Sequence, residues 1–254
     1  LMRLAGRNFV LTRPQGQNES LARLLAAEGA TTLEFPATQI APLEDPAPLH
    51  ELATRLADFA LAFFVSPNAV AQTFTVIAPQ HWPAELAVAT VGPASAKALR
   101  ECGIDEVIMP ESRFVSEGVL ALPAFQAEAL AGRRVLILRG NGGREFLAET
   151  LRTRGAGVEC CTCYRRSRAN PDPASLLAQR LDGIVFSSSE AVQHFIEISG
   201  QAGRDLLACL PVFAPHSRIL AAASACGACH PMLTAAGDKG IVTGILETPG
   251  LGLG

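Results

Sequence analysis

The stretch Arg13–Ala30, RPQGQNESLARLLAAEGA, is repeated later in the chain as Arg139–Ala156, RGNGGREFLAETLRTRGA. The two stretches align without a gap, and eight of their eighteen positions are identical. Each follows an apolar run and carries apolar residues at helical spacing before a glycine, which is typical of a strand, a turn and an amphipathic helix. The sequence therefore contains a duplicated strand–helix unit.

Two further similarities extend the duplication. Phe64–Val70 resembles Val185–Val192, and in both an apolar strand ends in hydroxyl residues that open a helix. In the first copy Ser66 suits the N-cap and Pro67 the first helical position. A weaker repeat follows each of these segments, so strand and helix alternate along the chain. This alternation predicts an α/β fold with two similar domains, each a parallel β-sheet flanked by helices.

The duplication alone leaves the domain arrangement open. The halves could be sequential and divided near residue 127, or the chain ends could form one domain around a continuous middle domain. The segments Phe35–Pro42 and Tyr164–Pro173 resemble linkers, and they favour the second arrangement. Its boundaries are 1–36 with 167–254 for the first domain and 37–166 for the second.

The composition excludes several classes of protein. A net charge of −3 over 254 residues argues against nucleic acid as an electrostatic partner. The longest apolar runs are too short to cross a membrane, and the first residues lack the pattern of an export signal, so we expect a cytoplasmic protein. In that compartment the seven cysteines are expected to be reduced thiols.

No cofactor is expected from the motifs. Cys226, Cys229 and His230 would suit zinc, but no second pair of ligands stands at a recognisable spacing. The segment Gly140–Gly143 lacks the third glycine of a dinucleotide loop, because Glu145 occupies that position, and no Gly-Lys-Ser/Thr follows it.

Ligands of open parallel sheets bind beyond the carboxyl ends of the strands, where helix N-termini present free N–H groups. Small polar residues and glycine stand at these ends in both halves of the chain, so a ligand with many acidic groups fits there. The candidate binding residues are Thr12, Ser66, Asn68, Ser95, Arg139, Gly140, Ser187, Ser188 and Ser189.

Acid–base machinery is sparse. The chain has no Gly-x-Ser-x-Gly motif, and of its five histidines only His216 stands at a predicted strand end. The single tyrosine, Tyr164, lies where the chain is expected to cross between domains, and its phenol could donate a hydrogen bond to a leaving hydroxyl. This pattern favours a reaction that needs steering more than strong catalysis, or no reaction.

With these residues in view, the chain resembles the uroporphyrinogen-III synthase family over residues 7–246. No single motif is specific, but their order and spacing together are. The motifs are Leu11–Pro14, Leu21 with Gly29-Ala30, Phe35-Pro36, Phe64–Val70, Val91–Ala96 with Gly103, Leu138–Gly140 with Arg144, Gly155-Ala156, Tyr164–Arg166, Phe186–Val192 and His216–Ile219.

The resemblance implies two domains joined by a two-stranded linker, with a flexible cleft between them, and a monomer without cofactor. The implied substrate is hydroxymethylbilane, a linear tetrapyrrole rich in carboxylates. Such enzymes close it to uroporphyrinogen III with loss of water and inversion of the last pyrrole ring, through a spiro intermediate. Transient contact with hydroxymethylbilane synthase, which supplies the substrate, is also implied.

The resemblance also suggests roles for single residues. Tyr164 matches the family tyrosine proposed to assist loss of the hydroxyl, and Ser95 stands where the family usually has threonine. Hydroxyl and strand-end positions of the cleft are matched by Ser66, Ser95, Ser187, Ser188, Thr12 and Arg139, and carboxylate partners by Arg13 and Arg218. The alternative from another class is a non-catalytic, two-lobed binding protein for a small anionic ligand, which would share the same fold pattern.

Overall fold

The computed structural model describes residues 2–142 and 145–251. The chain divides into two compact units. The first comprises Leu1–Gln39 and Ser167–Gly254, and the second comprises Ile40–Arg166. We call the first the terminal unit, because it is built from both ends of the sequence, and the second the middle unit.

In chain order the strands are β1 Asn8–Leu11, β2 Thr31–Glu34, β3 Thr38–Ala41, β4 Leu61–Phe64, β5 Ala87–Thr90, β6 Val107–Ile108, β7 Arg134–Gly140, β8 Gly157–Arg168, β9 Gly183–Val185, β10 Pro211–Ala214 and β11 His230–Leu233. The interior strands β1, β4 and β9 are short and apolar, as expected for parallel strands that are covered on both faces. Every residue of β1 and β4 is buried, as expected for strands with a neighbour on each side.

The helices follow the strands as the sequence predicts. They are α1 Glu19–Ala27, α2 Ala47–Ala53, α3 Pro67–Val76, α4 Pro93–Glu101, α5 Ser116–Leu120, α6 Ala127–Leu130, α7 Phe146–Thr153, α8 Ser189–Cys209, α9 Ser217–Ala225 and α10 Gly237–Leu246. The duplicated helices α1 and α7 are followed by Gly29 and Gly155, whose φ angles are 88° and 87°. Only glycine adopts this conformation readily, which explains why both copies stop there.

Two sheets share one strand order. The first sheet has five strands in the order β11-β10-β9-β1-β2, and the second has six in the order β3-β8-β7-β4-β5-β6. Apart from β3, neighbouring strands pair in parallel in both sheets. When β7 and β8 are matched to β1 and β2, the second sheet repeats the first. The predicted parallel sheets flanked by helices are confirmed.

Each sheet packs helices on both faces. In the terminal unit Val10 faces one apolar cluster, while its neighbours Phe9 and Leu11 face another. In the middle unit Leu136 and Ile137 divide between two clusters in the same way. Since each fully buried large apolar side chain contributes about 1.5–3 kcal/mol, these clusters stabilise the two units and hold the strand ends in place.

The chain passes from the terminal unit to the middle unit within β3 and returns within β8. These two strands are neighbours in the sheet order. The segments that looked like linkers in the sequence thus contain regular strands, and Tyr164 lies within the twelve-residue strand β8.

Candidate functional site

Serine side chains cap the helices that follow the central strands of both sheets. After β4, the Ser66 Oγ accepts a hydrogen bond from the backbone N–H of Ala69 at 3.2 Å, and Pro67 is the first residue of α3. After β9, the Ser188 Oγ accepts from the N–H of Ala191 at 3.0 Å. The predicted cap at Ser66 is confirmed, and Ser188 is its counterpart in the terminal unit. In each unit a hydroxyl therefore stands at a helix N-terminus beyond a strand end.

Tyr164 lies beside the Ser66 cap. Its hydroxyl is 3.2 Å from the Ser66 Oγ and accepts a hydrogen bond of 3.1 Å from Nη2 of Arg166. The same guanidinium lies over the ring, with its Cζ 5.6 Å from the ring centroid. Only 1% of Tyr164 is exposed. The phenol is thus fixed in place between a second hydroxyl and a cation.

Gly140 makes room for the tyrosine ring. The register of β7 and β8 shifts between Arg139 and Gly140, so that Gly140 pairs with Tyr164. A Cβ atom at Gly140 would lie 2.6 Å from Cε2 and 2.7 Å from Cζ of that ring. These distances are too short for carbon atoms, so any larger residue would displace the phenol. Gly140, predicted as a binding residue, therefore has a packing function in the structure.

A cavity of about 240 Å³ opens beside the phenol, within the middle unit. Its wall combines apolar side chains with a few polar groups, as small-molecule sites do. The lining residues are Phe63, Val65, Val91, Ser116, Ile137, Arg139, Gly140, Asn141, Gly142, Leu147, Ala148, Tyr164 and Arg166. Three of the predicted site residues, Arg139, Gly140 and Tyr164, meet here.

The two duplicated arginines each have a carboxylate partner. Arg139 pairs with Glu145 at 2.6 Å, and Arg13 pairs with Asp238 at 2.7 Å. Four-fifths of each arginine side chain is buried. These internal ion pairs fix the orientations of both guanidiniums.

Ser95 and Asn68 do not line the cavity. Ser95 is the third residue of α4 and is only 2% exposed. Asn68 is a half-buried residue of the first turn of α3. Arg144, which belongs to the family-like pattern of the sequence, lies outside the described residues.

The terminal unit presents its predicted residues with different exposure. Thr12 is fully buried, and its hydroxyl donates to the Val185 carbonyl at 2.7 Å, so it ties two strand ends together and a ligand cannot reach it directly. Ser187 is exposed, while the Ser189 Oγ is buried and has no hydrogen-bond partner among the described residues. The remaining two predicted residues, both exposed at the start of α9, are His216 and Arg218.

The two buried cysteines of β8 are poor nucleophiles. Burial raises the pKa of Cys163 to about 12 and that of Cys161 to about 11, so both thiols are protonated at neutral pH. Within residues 2–142 and 145–251 no three His, Cys, Asp or Glu side chains cluster as a metal ion would require, Cys226, Cys229 and His230 included. In those ranges no helix is long and apolar enough to span a membrane.

Among the polar residues of the cavity wall, the candidates chosen from the sequence omitted Ser116, Asn141 and Arg166. Arg166 could have been predicted from its position, because residues two apart on a strand point to the same face and Arg166 is two residues after Tyr164. Asn141 lies in a polar, glycine-rich stretch at a predicted strand end, but its contacts depend on the register of β7 against β8, which the local sequence does not record.

The chain matches the family model of uroporphyrinogen-III synthase HemD over residues 19–234. It is 32% identical over 204 residues to uroporphyrinogen-III synthase of Escherichia coli, covering 78% of this chain and 82% of that protein. The corresponding enzyme of Salmonella typhimurium is 35% identical over 211 residues, covering 80% and 85%.

Solved structures agree with the fold. A mutant uroporphyrinogen III synthase from the extremely thermophilic bacterium Thermus thermophilus has a TM-score of 0.61 at 16% identity, covering 94% of this chain and 97% of that one. Uroporphyrinogen-III synthetase from Helicobacter pylori has a TM-score of 0.55 at 15% identity, covering 89% and 92%. The chain therefore belongs to the uroporphyrinogen-III synthase family, lyase-type enzymes of porphyrin biosynthesis.

Proposed function

We propose that this protein cyclises hydroxymethylbilane to uroporphyrinogen III, with loss of water and inversion of the last pyrrole ring. The observation that carries the proposal is the Tyr164 phenol, held by Ser66 and Arg166 beside a cavity at the carboxyl ends of the strands. Parallel sheets bind their ligands at that edge, and family membership supplies the reaction class.

Substrate carboxylates are proposed to bind at the strand ends of both units. The first turns of α3 and α8 offer backbone N–H groups and the positive end of the helix dipole. Arg13, Arg139 and Arg218 add guanidiniums, of which Arg218 is exposed. A flexible, polyacidic chain would gain more from several fixed anion-binding points than from a single strong one. Binding between the two domains stays a prediction.

The chemistry begins with loss of the terminal hydroxyl. The C–O bond breaks as the electron-rich pyrrole pushes out the hydroxyl, the Tyr164 phenol supplies its proton, and water leaves. The resulting azafulvenium cation is attacked by the substituted carbon of the last ring, which forms the spiro intermediate. Fragmentation and reclosure then turn that ring over. Loss of a ring proton restores the aromatic pyrrole, and that proton balances the one which the phenol gave up.

Steering is the larger contribution of the protein in this proposal. The cation forms easily, and the uninverted closure competes with the inverted one, so the enzyme must hold the two ends in the less accessible geometry. Exclusion of water would protect the cation, and oriented carbonyl dipoles would stabilise it. No step requires a cofactor. A monomeric state and transient contact with hydroxymethylbilane synthase stay predictions.

A coupled assay tests the function. Porphobilinogen and its deaminase generate hydroxymethylbilane, the products are oxidised, and type III is scored against type I porphyrin. We expect type III to predominate with the protein and type I without it. An isomer ratio unchanged by the protein would contradict the proposal.

Tyr164→Phe tests the role of the phenol in the same assay. The variant removes one oxygen from a buried ring, so we expect kcat to fall about tenfold or more, since general acids contribute about a hundredfold and upwards. The melting temperature serves as the control for folding. A variant with full kcat would remove Tyr164 from the mechanism and leave the cyclisation itself to the isomer assay.

A further inference from the structure

We propose that Arg166 is a positioning residue, which acts through Tyr164 by holding the phenol with its proton free for the substrate. The inference rests on the proposed function of Tyr164 and adds a residue to it. No substrate contact is assigned to Arg166. Its proposed contribution is the orientation of another side chain, and it should therefore disappear when the phenol is removed.

The strand geometry brings the two side chains together. Tyr164 and Arg166 are two residues apart on β8, so both point to the same face. One guanidinium makes two contacts with the tyrosine, a 3.1 Å hydrogen bond to the hydroxyl and a cation–π contact at 5.6 Å from the ring centroid. The hydrogen bond fixes the oxygen, and the cation–π contact restrains the tilt of the ring.

Hydrogen-bond chemistry gives this contact a direction. A guanidinium only donates, so the phenol oxygen must accept from Arg166, and this contact does not engage the O–H hydrogen of the phenol. Ser66 accepts from the Ala69 N–H, and its hydroxyl can donate to the phenol. With Ser66 donating, the phenol oxygen receives two hydrogen bonds and its proton is directed away from both partners, toward the cavity. Either hydroxyl can be the donor between Ser66 and Tyr164, and exchanging their roles requires only rotation of the two O–H hydrogens.

Asn141 fixes the backbone that carries both residues. Its side chain accepts from the N–H of Arg166 and donates to the Arg166 carbonyl at 3.1 Å. Its own N–H donates to the Tyr164 carbonyl at 3.1 Å. These bonds lie just beyond the register shift of β7 and β8, where the regular ladder is disturbed. Hydrogen bonds from the Asn141 side chain to the Arg166 backbone thus take the place of regular strand pairing at this point and hold the end of β8 against β7.

A double-mutant cycle tests the inference. Arg166→Met keeps an unbranched stem and removes the guanidinium with its donors, so we expect kcat to fall about tenfold, as for a general acid that is no longer aligned. The Tyr164→Phe, Arg166→Met double variant should be no slower than Tyr164→Phe alone, because residues that act as a unit are not additive. Arg165→Met is the matched control. Arg165 points to the other face, pairs with Glu44 at 2.8 Å, and its loss should leave kcat within about twofold of wild type.

Several outcomes would overturn the inference. Effects that multiply in the double variant would show that Arg166 acts independently of the phenol, for example on a substrate carboxylate, and a rise in KM alone would show the same. Full kcat in Arg166→Met, with Tyr164→Phe slow, would remove Arg166 and keep Tyr164. Full kcat in Tyr164→Phe would instead contradict the proposed role of the phenol.

A spectroscopic measurement keeps the test valid if Arg166→Met folds poorly. The chain has a single tyrosine, so protein grown with tyrosine labelled with carbon-13 at Cζ gives one resonance, and that resonance reports on hydrogen bonds to the phenol oxygen. Arg166→Lys, which keeps the charge and changes the donor geometry, should move the resonance, and Arg165→Met should not. A resonance unmoved in Arg166→Lys would contradict the inference.

Discussion

The terminal and middle units share one strand order, yet they differ beside the duplicated arginine. In the middle unit Gly140 and Tyr164 meet at the end of β7, with the ring packed against the glycine. In the terminal unit the duplicated arginine is Arg13. Counted from it, Pro14 corresponds to Gly140 and Thr38 corresponds to Tyr164. The smaller Thr38 is buried, and its hydroxyl bonds to Nδ1 of His194 at 3.0 Å. The duplication therefore preserved the scaffold, while only one copy carries the phenol.

This difference separates residues that build the scaffold from residues that perform chemistry. The capping serines, the arginine–carboxylate pairs and the glycines after α1 and α7 occur in both units, so their first function is to shape strand ends. The terminal unit also has a glycine against aromatic rings, Gly183 beside Phe9 and Phe213, but those rings carry no hydroxyl. The single tyrosine of the chain lies in the middle unit. We therefore propose that the chemical step takes place in the middle unit and that both units bind substrate carboxylates.

Gly140→Ala is expected to have the largest effect on activity, because it removes the space that the Tyr164 ring occupies in the middle unit. The new methyl group would overlap the ring atoms of Tyr164, so the phenol must move by a large part of an ångström. Misplacement on that scale can cost about a hundredfold in rate, and we expect kcat in the coupled assay to fall by about that factor. Overpacking should also lower the free energy of unfolding by about 1–3 kcal/mol.

Gly157→Ala is the matched control for that substitution. Gly157 begins β8 in the same sheet, and a Cβ there would meet the Arg134 Cγ at an ordinary 3.6 Å. We expect its rate to stay within about twofold of wild type, because a surface change of this kind is close to neutral. A fall in both variants would mean that the strand, rather than the ring contact, is sensitive. A fully active Gly140→Ala would refute the packing argument.

Ser66→Ala and Ser188→Ala sharpen the comparison with equivalent changes in the two units. Each removes an N-cap, so each should lower the free energy of unfolding by about 1 kcal/mol. Only Ser66 also touches the phenol, at 3.2 Å. We therefore expect Ser66→Ala to lower kcat about fivefold, equivalent to one lost hydrogen bond of about 1 kcal/mol, and Ser188→Ala to act on KM. Steady-state kinetics with urea unfolding measures both effects, and matching kcat losses would argue against an asymmetric site.

The sequence was sufficient for the parts of the fold that depend on local patterns. The strand–helix unit around α1 and α7 could be predicted because apolar spacing and a terminal glycine specify it within a short stretch of chain. The order of strands could not be derived in the same way. Sequential and interleaved domains produce the same alternation of strand and helix, since the pattern does not record which strands pair.

Within the site, the residue that caps a helix could be predicted from the sequence, whereas contacts between distant parts of the chain could not. Ser66 could be assigned because a cap and its N–H partner are three residues apart. Its contact with Tyr164 joins residues 98 positions apart, and no local pattern encodes that. Strand-end position also suggested that Thr12 faces a ligand, but its hydroxyl turns inward to a neighbouring carbonyl. Likewise Arg13 was expected to bind substrate carboxylates, and the structure adds an internal partner, Asp238.

The smallest expected effect is a change in stability at the amino-terminal ends of the strands, where one position differs in charge between the two units. In the middle unit Glu159 accepts two hydrogen bonds from Arg55, at 2.6 and 2.8 Å, and one from Arg134 at 3.0 Å. The corresponding residue of the terminal unit is Leu33, which packs on the core. The Arg55 hydrogen bonds lower the pKa of Glu159, although partial burial opposes them.

A lowered pKa in the folded state means that the ionised carboxylate stabilises the fold. This contribution is complete above the pKa of the unfolded chain, about 4.3, and is lost as the pH falls through the lower folded value. Because about a third of both side chains is exposed, solvent screening limits this contribution to less than about 1 kcal/mol.

Glu159→Gln should therefore be less stable than wild type by that amount at pH 7, and the difference should vanish toward pH 3. Trp82, the only tryptophan, lies in the middle unit, so its fluorescence during urea unfolding reports on this unit. A difference that persisted at pH 3 would mean that packing, rather than charge, accounts for the effect of Glu159.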